Sequence, residues 1–177
     1  LQWLGGIGII VMAITILPLL NVAGMQLFRM ESSDTTEKIL PRTREITIII
    51  SLIYLALTLA CGIAYWLTGM NIFDSIAHSM TTIATGGFST YNNSIGYFQS
   101  PKIEIISIIF IILGSIPFIT YLKFVKNDKK IFLKDNQIKG LVYILIVSIL
   151  LMFLYLLLSN KEHSFLENLR ISTFNVV

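Results

Sequence analysis

Two groups of neighbouring residues have the types and spacing needed for chemistry on a cation. Asp74 and His78 are four positions apart, the spacing that puts two metal ligands on one face of a helix. The second group is Thr85, Gly86, Gly87 and Phe88. With no side chain at a glycine pair, the backbone there can turn its carbonyls toward a common axis, where they replace the hydration shell of a monovalent cation.

The metal-site interpretation of Asp74 and His78 lacks a third ligand, because His163 falls in a different loop. Asp74 also has a simpler role. It stands three residues after Asn71, as in a capping box at a helix N-terminus, and His78 is then a packing residue of the same helix. An intramembrane metalloenzyme is kept as an alternative, and it predicts a bound metal that chelation removes.

A short amphipathic helix is expected to carry both groups. Residues 72–84 would form a helix about 20 Å long at about 1.5 Å per residue, which enters a hydrocarbon core about 30 Å thick only part way. The chain must then return through residues 85–90 without a helix, and such backbone survives at that depth only when protein buries it or it lines water. This arrangement is typical of a re-entrant pore loop.

The composition indicates a membrane protein. The 177 residues are 55% hydrophobic and 13% charged, and the mean hydropathy is +0.79, which is far from a soluble domain. Four apolar segments predict spanning helices at residues 2–28, 46–66, 103–124 and 140–158, with a kink expected at Pro117. The single cysteine, Cys61, is interpreted as a small buried hydrophobic residue.

The distribution of basic residues predicts the orientation in the membrane. The connectors 29–46 and 123–139 hold four and six of the 13 Lys and Arg residues, and cytoplasmic loops carry the excess of positive charge. Both connectors are therefore expected in the cytoplasm, so that the 85–90 loop enters from outside.

An internal repeat supports this interpretation. Ser164 follows Asn71 by 93 positions, and Glu167 follows Asp74 by the same distance. Each pair begins a short amphipathic segment. The predicted division of the chain is as follows: 1–30, last helix of a preceding repeat; 31–45, cytoplasmic connector; 46–124, a complete helix-pore-helix repeat; 125–139, basic connector; 140–177, first helix and truncated pore helix of a following repeat.

Two motifs resemble a known family. The sequence Gln2-Trp-Leu-Gly-Gly-Ile-Gly-Ile-Ile-Val11 and the sequence His78-Ser-Met-Thr-Thr-Ile-Ala-Thr-Gly-Gly-Phe-Ser-Thr90 are similar to the TrkH-type potassium uptake proteins of the Trk/Ktr/HKT superfamily. The resemblance implies an all-α, potassium-channel-like fold of helix-pore-helix repeats, of which this chain is an internal fragment. It also implies that the selectivity filter is Thr85, Gly86, Gly87 and Phe88, with Gly87 as the filter glycine.

The family further implies a homodimer of the full-length protein in the cell (inner) membrane, gated by a cytosolic nucleotide-binding subunit. The expected function is K⁺ transport through a ring of backbone carbonyls, with K⁺ as substrate, no cofactor, no enzymatic activity and no nucleic-acid partner. The alternative from another class is a non-transporting membrane scaffold, whose glycine-rich helices serve only packing and whose 85–90 loop would tolerate bulky substitution.

Overall fold

The structure is a computed structural model that describes residues 1–16, 39–125, 132, 135–159 and 164–177. Its regular elements are helices, with no strand among the described residues, which confirms the all-α class. In chain order they are α1 (Gln2–Ile16), α2 (Ile39–Leu67), α3 (Ile72–Ile83), a 3-10 helix (Ser94–Phe98), α4 (Pro101–Ser115), α5 (Phe118–Val125), α6 (Asn136–Ser159) and α7 (Phe165–Val176).

Within the described ranges, two straight helices are long and apolar enough to cross a membrane, Glu45–Leu67 and Asn136–Ser159. The bent pair α4 and α5 makes a third if it is counted as one span. The prediction of a first span at 2–28 is tested only as far as residue 16, because residues 17–28 lie outside the described part of the chain. In the two basic connectors, residues 29–38 and, apart from 132, residues 126–134 also lie outside it.

The second helix begins earlier than predicted. It starts at Ile39 and includes the last three charged residues of the connector, Arg42, Arg44 and Glu45. The apolar part, Glu45–Leu67, agrees with the predicted span. Hydropathy marks where a helix enters lipid, whereas the helix itself continues into water for as long as its backbone bonds are made. Pro41 does not prevent this start, since proline is tolerated in a first turn.

The kink predicted at Pro117 is confirmed, with an angle of 83° between α4 and α5. Proline has no N–H to donate to the carbonyl of Leu113, four residues earlier. The hydroxyl of Tyr121 donates to that carbonyl instead, at 2.6 Å. The bend therefore leaves the carbonyl with a hydrogen-bond donor, and α5 turns back to pack against α2.

The core lies where α2 meets the helices around it, and α3 packs mainly on α2 while also touching α1 and α4. Tyr54, Cys61, Tyr65 and Ile83 are buried there, which agrees with the interpretation of Cys61. The second helix pair has a similar arrangement, since α7 packs on α6 and touches α4.

Candidate functional site

The helix α3 matches the predicted pore helix closely. It spans Ile72–Ile83, and the side chain of Asn71 caps its start by accepting a hydrogen bond from the backbone N–H of Asp74 at 2.8 Å. The second predicted cap is also present, as a complete capping box between Ser164 and Glu167 at the start of α7. The sequence thus located both short helices through their caps.

A Schellman motif ends α3 at the first residue of the predicted filter. The Gly86 N–H donates to the Thr81 carbonyl at 2.8 Å, and the Thr85 N–H donates to the Thr82 carbonyl at 3.0 Å. Thr85 has the left-handed conformation that this motif requires, with φ of 51°. A β-branched residue rarely adopts that conformation, and such backbone strain is concentrated at functional sites.

The two glycines of the segment differ in their surroundings. Gly87 has φ of +69°, and a Cβ atom there would meet nothing within 4 Å. Gly86 is not in the left-handed region, but a Cβ atom there would overlap the side-chain amide of Gln2 on α1. Glycine is therefore favoured at Gly87 by conformation, whereas at Gly86 the flexible end of the Gln2 side chain would have to move to admit a Cβ atom.

The ends of both short helices line one partly open cavity of about 290 Å³. Thr82, Thr85, Gly86 and Gly87 contribute from the α3 side, and Phe174 and Val177 contribute from α7. The remaining lining residues are His78, Thr81, Phe88, Ser94, Ile95, Ser107, Ile111 and Ser115. The predicted filter residues are thus brought together at one cavity.

A buried hydrogen-bond chain joins α3 to the helices on either side. The Tyr65 hydroxyl lies 2.8 Å from both Thr82 Oγ1 and Ser107 Oγ. Ser107 donates to the carbonyl of Ile103, so its oxygen accepts from Tyr65, which in turn accepts from Thr82. Tyr65 is fully buried, and a satisfied buried network of this kind specifies one packing arrangement.

A close backbone approach fixes the end of α3 against α4. A Cβ atom at Gly114 would lie only 2.8 Å from the carbonyl oxygen of Ile83, the last residue of α3. Only a glycine allows this contact, because neither backbone can yield as a flexible side chain would. Small residues at helix contacts in membranes have this effect generally.

Sequence reasoning missed Tyr65, Ser107 and Gly114. Ser107 offered one signal, since a polar residue within an apolar span usually faces a protein interior. Tyr65, at the end of the second predicted span, is of a residue type common at membrane interfaces, but it is buried. Nothing in the spacing of Gly114 indicated which backbone would approach it.

Asp74 and His78 are both engaged within the protein. Three side chains donate to the Asp74 carboxylate, namely Asn71, Thr90 and Tyr91. His78 uses both ring nitrogens, one toward the Asp74 carbonyl and one toward Ser89. No group of three or more His, Cys, Asp and Glu residues suited to a metal occurs among the residues the structure describes.

A family model and individual relatives of the chain indicate the same protein family. Residues 1–168 match the family model TrkH, described as a cation transport protein. The chain is 41% identical over 178 residues to the Trk system potassium uptake protein TrkI of Halomonas elongata, covering 100% of this chain and 36% of that protein. It is 39% identical over 180 residues to the Trk system potassium uptake protein TrkH of Escherichia coli K12, covering 37% of that protein.

A solved structure agrees with the fold. The crystal structure of the potassium transporter TrkH from Vibrio parahaemolyticus superposes with a TM-score of 0.81 at 35% sequence identity, covering 99% of this chain and 35% of that one. The chain therefore spans about a third of the length of the relatives it matches. The family model, the sequence identity and the superposition agree that this chain belongs to the TrkH family of cation transport proteins.

Proposed function

We propose that the chain is part of the pore-forming subunit of a K⁺ uptake system, and that K⁺ passes the backbone carbonyls of Thr85, Gly86, Gly87 and Phe88. The names of the relatives support potassium as the transported ion. These relatives are transporters rather than enzymes, which favours transport over the metalloenzyme alternative. These relatives are about three times longer than this chain, so in a protein of that length other segments would complete the pore.

The observation that carries the proposal is that α3 ends at the cavity lined by Thr85, Gly86 and Gly87. The C-terminal end of a helix bears a partial negative charge of roughly half a unit. Such an end beside an open space favours a cation there.

The backbone of the proposed filter provides a second argument. Thr85 and Gly87 have positive φ, and Gly86 between them does not. When the sign of φ alternates between neighbouring residues, as in a backbone nest, successive peptide planes turn so that N–H groups can face one side and carbonyls the other. A row of carbonyls facing one side is what replacing the hydration of K⁺ requires.

An ion-pair contact holds α7 beside the complete repeat proposed for residues 46–124. Arg170 Nε on α7 lies 3.2 Å from Glu104 Oε2 in the first turn of α4. The position of Glu104 is also favourable for a carboxylate, because a helix N-terminus carries partial positive charge. This ion pair supports a fixed position of α7 beside the cavity.

The proposed function includes the partners of the protein and the membrane that holds it. The Trk systems named for the relatives support a membrane transporter that works with further components. We assign these as a homodimeric partner and a cytosolic nucleotide-binding subunit, in the cell (inner) membrane. Asp135, at the start of α6, is assigned to the cytoplasmic side, where the Gln137 backbone N–H lowers its pKa below the usual value.

The transport proposal is tested with the full-length protein in cells that lack other K⁺ uptake systems. Growth at limiting K⁺ and uptake of a K⁺ tracer are expected to depend on its expression. The control is the same vector without the gene. Equal growth and uptake in both strains would contradict the proposed function.

The proposed orientation gives a labelling prediction. A cysteine replacing Lys130 should react with a membrane-impermeant thiol reagent only from the inside, and a cysteine replacing Asn93 only from the outside, because the basic connectors are assigned to the cytoplasm. The native Cys61 is buried and serves as the unlabelled background. Labelling with the opposite sidedness would overturn the pore-loop assignment.

A further inference from the structure

The residues directly after the proposed filter are tied to the N-terminal half of α3 by one buried carboxylate. Asp74 is 2% exposed. One of its oxygens accepts from Asn71 Nδ2 at 2.7 Å and from the Tyr91 hydroxyl at 2.8 Å, and the other accepts from Thr90 Oγ1 at 2.8 Å. Hydrogen bonds to an ionised acceptor are roughly twice as strong as neutral ones, so this carboxylate is a firm anchor.

His78 makes a second tie to the same segment. A backbone carbonyl only accepts, so Nδ1 donates to the Asp74 carbonyl at 2.8 Å. Nε2 lies 2.9 Å from Ser89 Oγ, and that oxygen also accepts the Tyr91 N–H at 3.1 Å. Asp74 and His78, one helical turn apart on α3, therefore both contact the loop between Ser89 and Tyr91.

Aromatic packing restricts Tyr91 further. Its ring stacks on Tyr97 with centroids 3.7 Å apart and meets the edge of Phe98 at 5.5 Å. The hydroxyl of Tyr91 is thus held where Asp74 can accept from it. Phe88, within the proposed filter, is by contrast 70% exposed.

We propose that Asp74 is a positioning residue for ion selection, acting through Tyr91 and Thr90. The Schellman motif fixes the start of residues 85–88, and the Asp74 carboxylate holds Thr90 and Tyr91, two and three positions after their end. A segment held at both ends keeps its carbonyls at one spacing, and a preference between ions of different size depends on that spacing. This inference rests on the proposed function of residues 85–88 and deepens it.

The test uses the full-length protein with Tyr91→Phe, Asp74→Asn and Tyr97→Phe as a matched control. Tyr91→Phe removes one hydrogen bond and keeps the stacked ring. Asp74→Asn keeps the shape but places an amide N–H₂ against hydroxyl donors. Tyr97→Phe removes a hydroxyl from the same aromatic stack without removing a bond to Asp74. The readouts are K⁺ uptake with and without excess Na⁺, and maximal uptake at saturating K⁺.

Tyr91→Phe and Asp74→Asn are each expected to lower K⁺ preference over Na⁺ by about three- to tenfold, with maximal uptake within about twofold of the unsubstituted protein. Tyr97→Phe should keep the preference. The double variant Asp74→Asn/Tyr91→Phe should show little further loss of K⁺ preference, because both substitutions disrupt the same Tyr91–Asp74 hydrogen bond. If Asp74→Asn does not accumulate in the membrane, the comparison of Tyr91→Phe with Tyr97→Phe decides.

An unchanged preference in Tyr91→Phe, in a protein whose preference falls with Gly87→Ser, would overturn the positioning role and leave the proposed function intact. A parallel loss of maximal uptake and of preference in Tyr91→Phe would indicate a structural role only, and it would also overturn the proposal. Absence of K⁺ uptake by the unsubstituted protein would instead refute the proposed function, and the inference with it.

Discussion

Gly87→Ser in the full-length protein is expected to lower discrimination of K⁺ from Na⁺ about tenfold, equivalent to about 1.4 kcal/mol in the difference between two ion affinities. Gly87 has φ of +69°, where a side chain costs roughly 1–2 kcal/mol. Serine would relieve this cost by moving the backbone, and the carbonyl direction would move with it. Its hydroxyl would also add a competing ligand.

Folding should survive this substitution, because a Cβ atom at Gly87 meets none of the described residues within 4 Å. The measurement is tracer uptake at limiting K⁺ with and without excess Na⁺, at matched expression. Gly96→Ser is the control, since Gly96 lies in the 3-10 helix that follows this loop, has no described residue within 4 Å of an added Cβ atom and has no positive φ. Unchanged discrimination in Gly87→Ser would mean that residues 85–88 are not the filter, and it would favour the scaffold alternative.

Gly114→Val is expected to reduce K⁺ uptake at least about tenfold and to lower the Tm of the purified protein. Its Cβ atom would lie 2.8 Å from the Ile83 carbonyl oxygen, so α3 and α4 must separate. Overpacking of this kind costs about 1–3 kcal/mol. Thr85 follows the end of α3 directly, so a displacement of that end would also displace the proposed filter.

Gly114→Ala should have a smaller effect of the same sign, since it introduces the same contact with less volume. Gly140→Ala is the matched control, because Gly140 is also helical and a Cβ atom there meets nothing within 4 Å. Alanine at that position should be neutral or stabilising by up to about 1 kcal/mol. Transport and Tm equal to those of the unsubstituted protein in Gly114→Val would show that this contact does not set the position of α3.

Features that depend on local pattern were predictable from the sequence. Asn71 and Ser164 located the starts of both short helices, because a side-chain cap acts within one turn. The apolar run after Glu45 located a span, because hydropathy is a sum over neighbours. Pro117 located the bend, because the missing N–H is a property of the residue itself. The glycine pair indicated where the backbone could turn, although the assignment of residues 85–88 as the filter stays a prediction.

Tertiary structure alone decided which distant groups meet. The acceptor of Tyr65 lies on a helix 42 positions along the chain, and Gly114 faces the carbonyl of Ile83 from a different helix. Asp74 was interpretable from sequence as a local capping residue, but its bonds to Thr90 and Tyr91 exist only because the chain returns along α3. Contacts of this kind depend on the path of the backbone between the partners, and one side chain's type and spacing carry no information about that path.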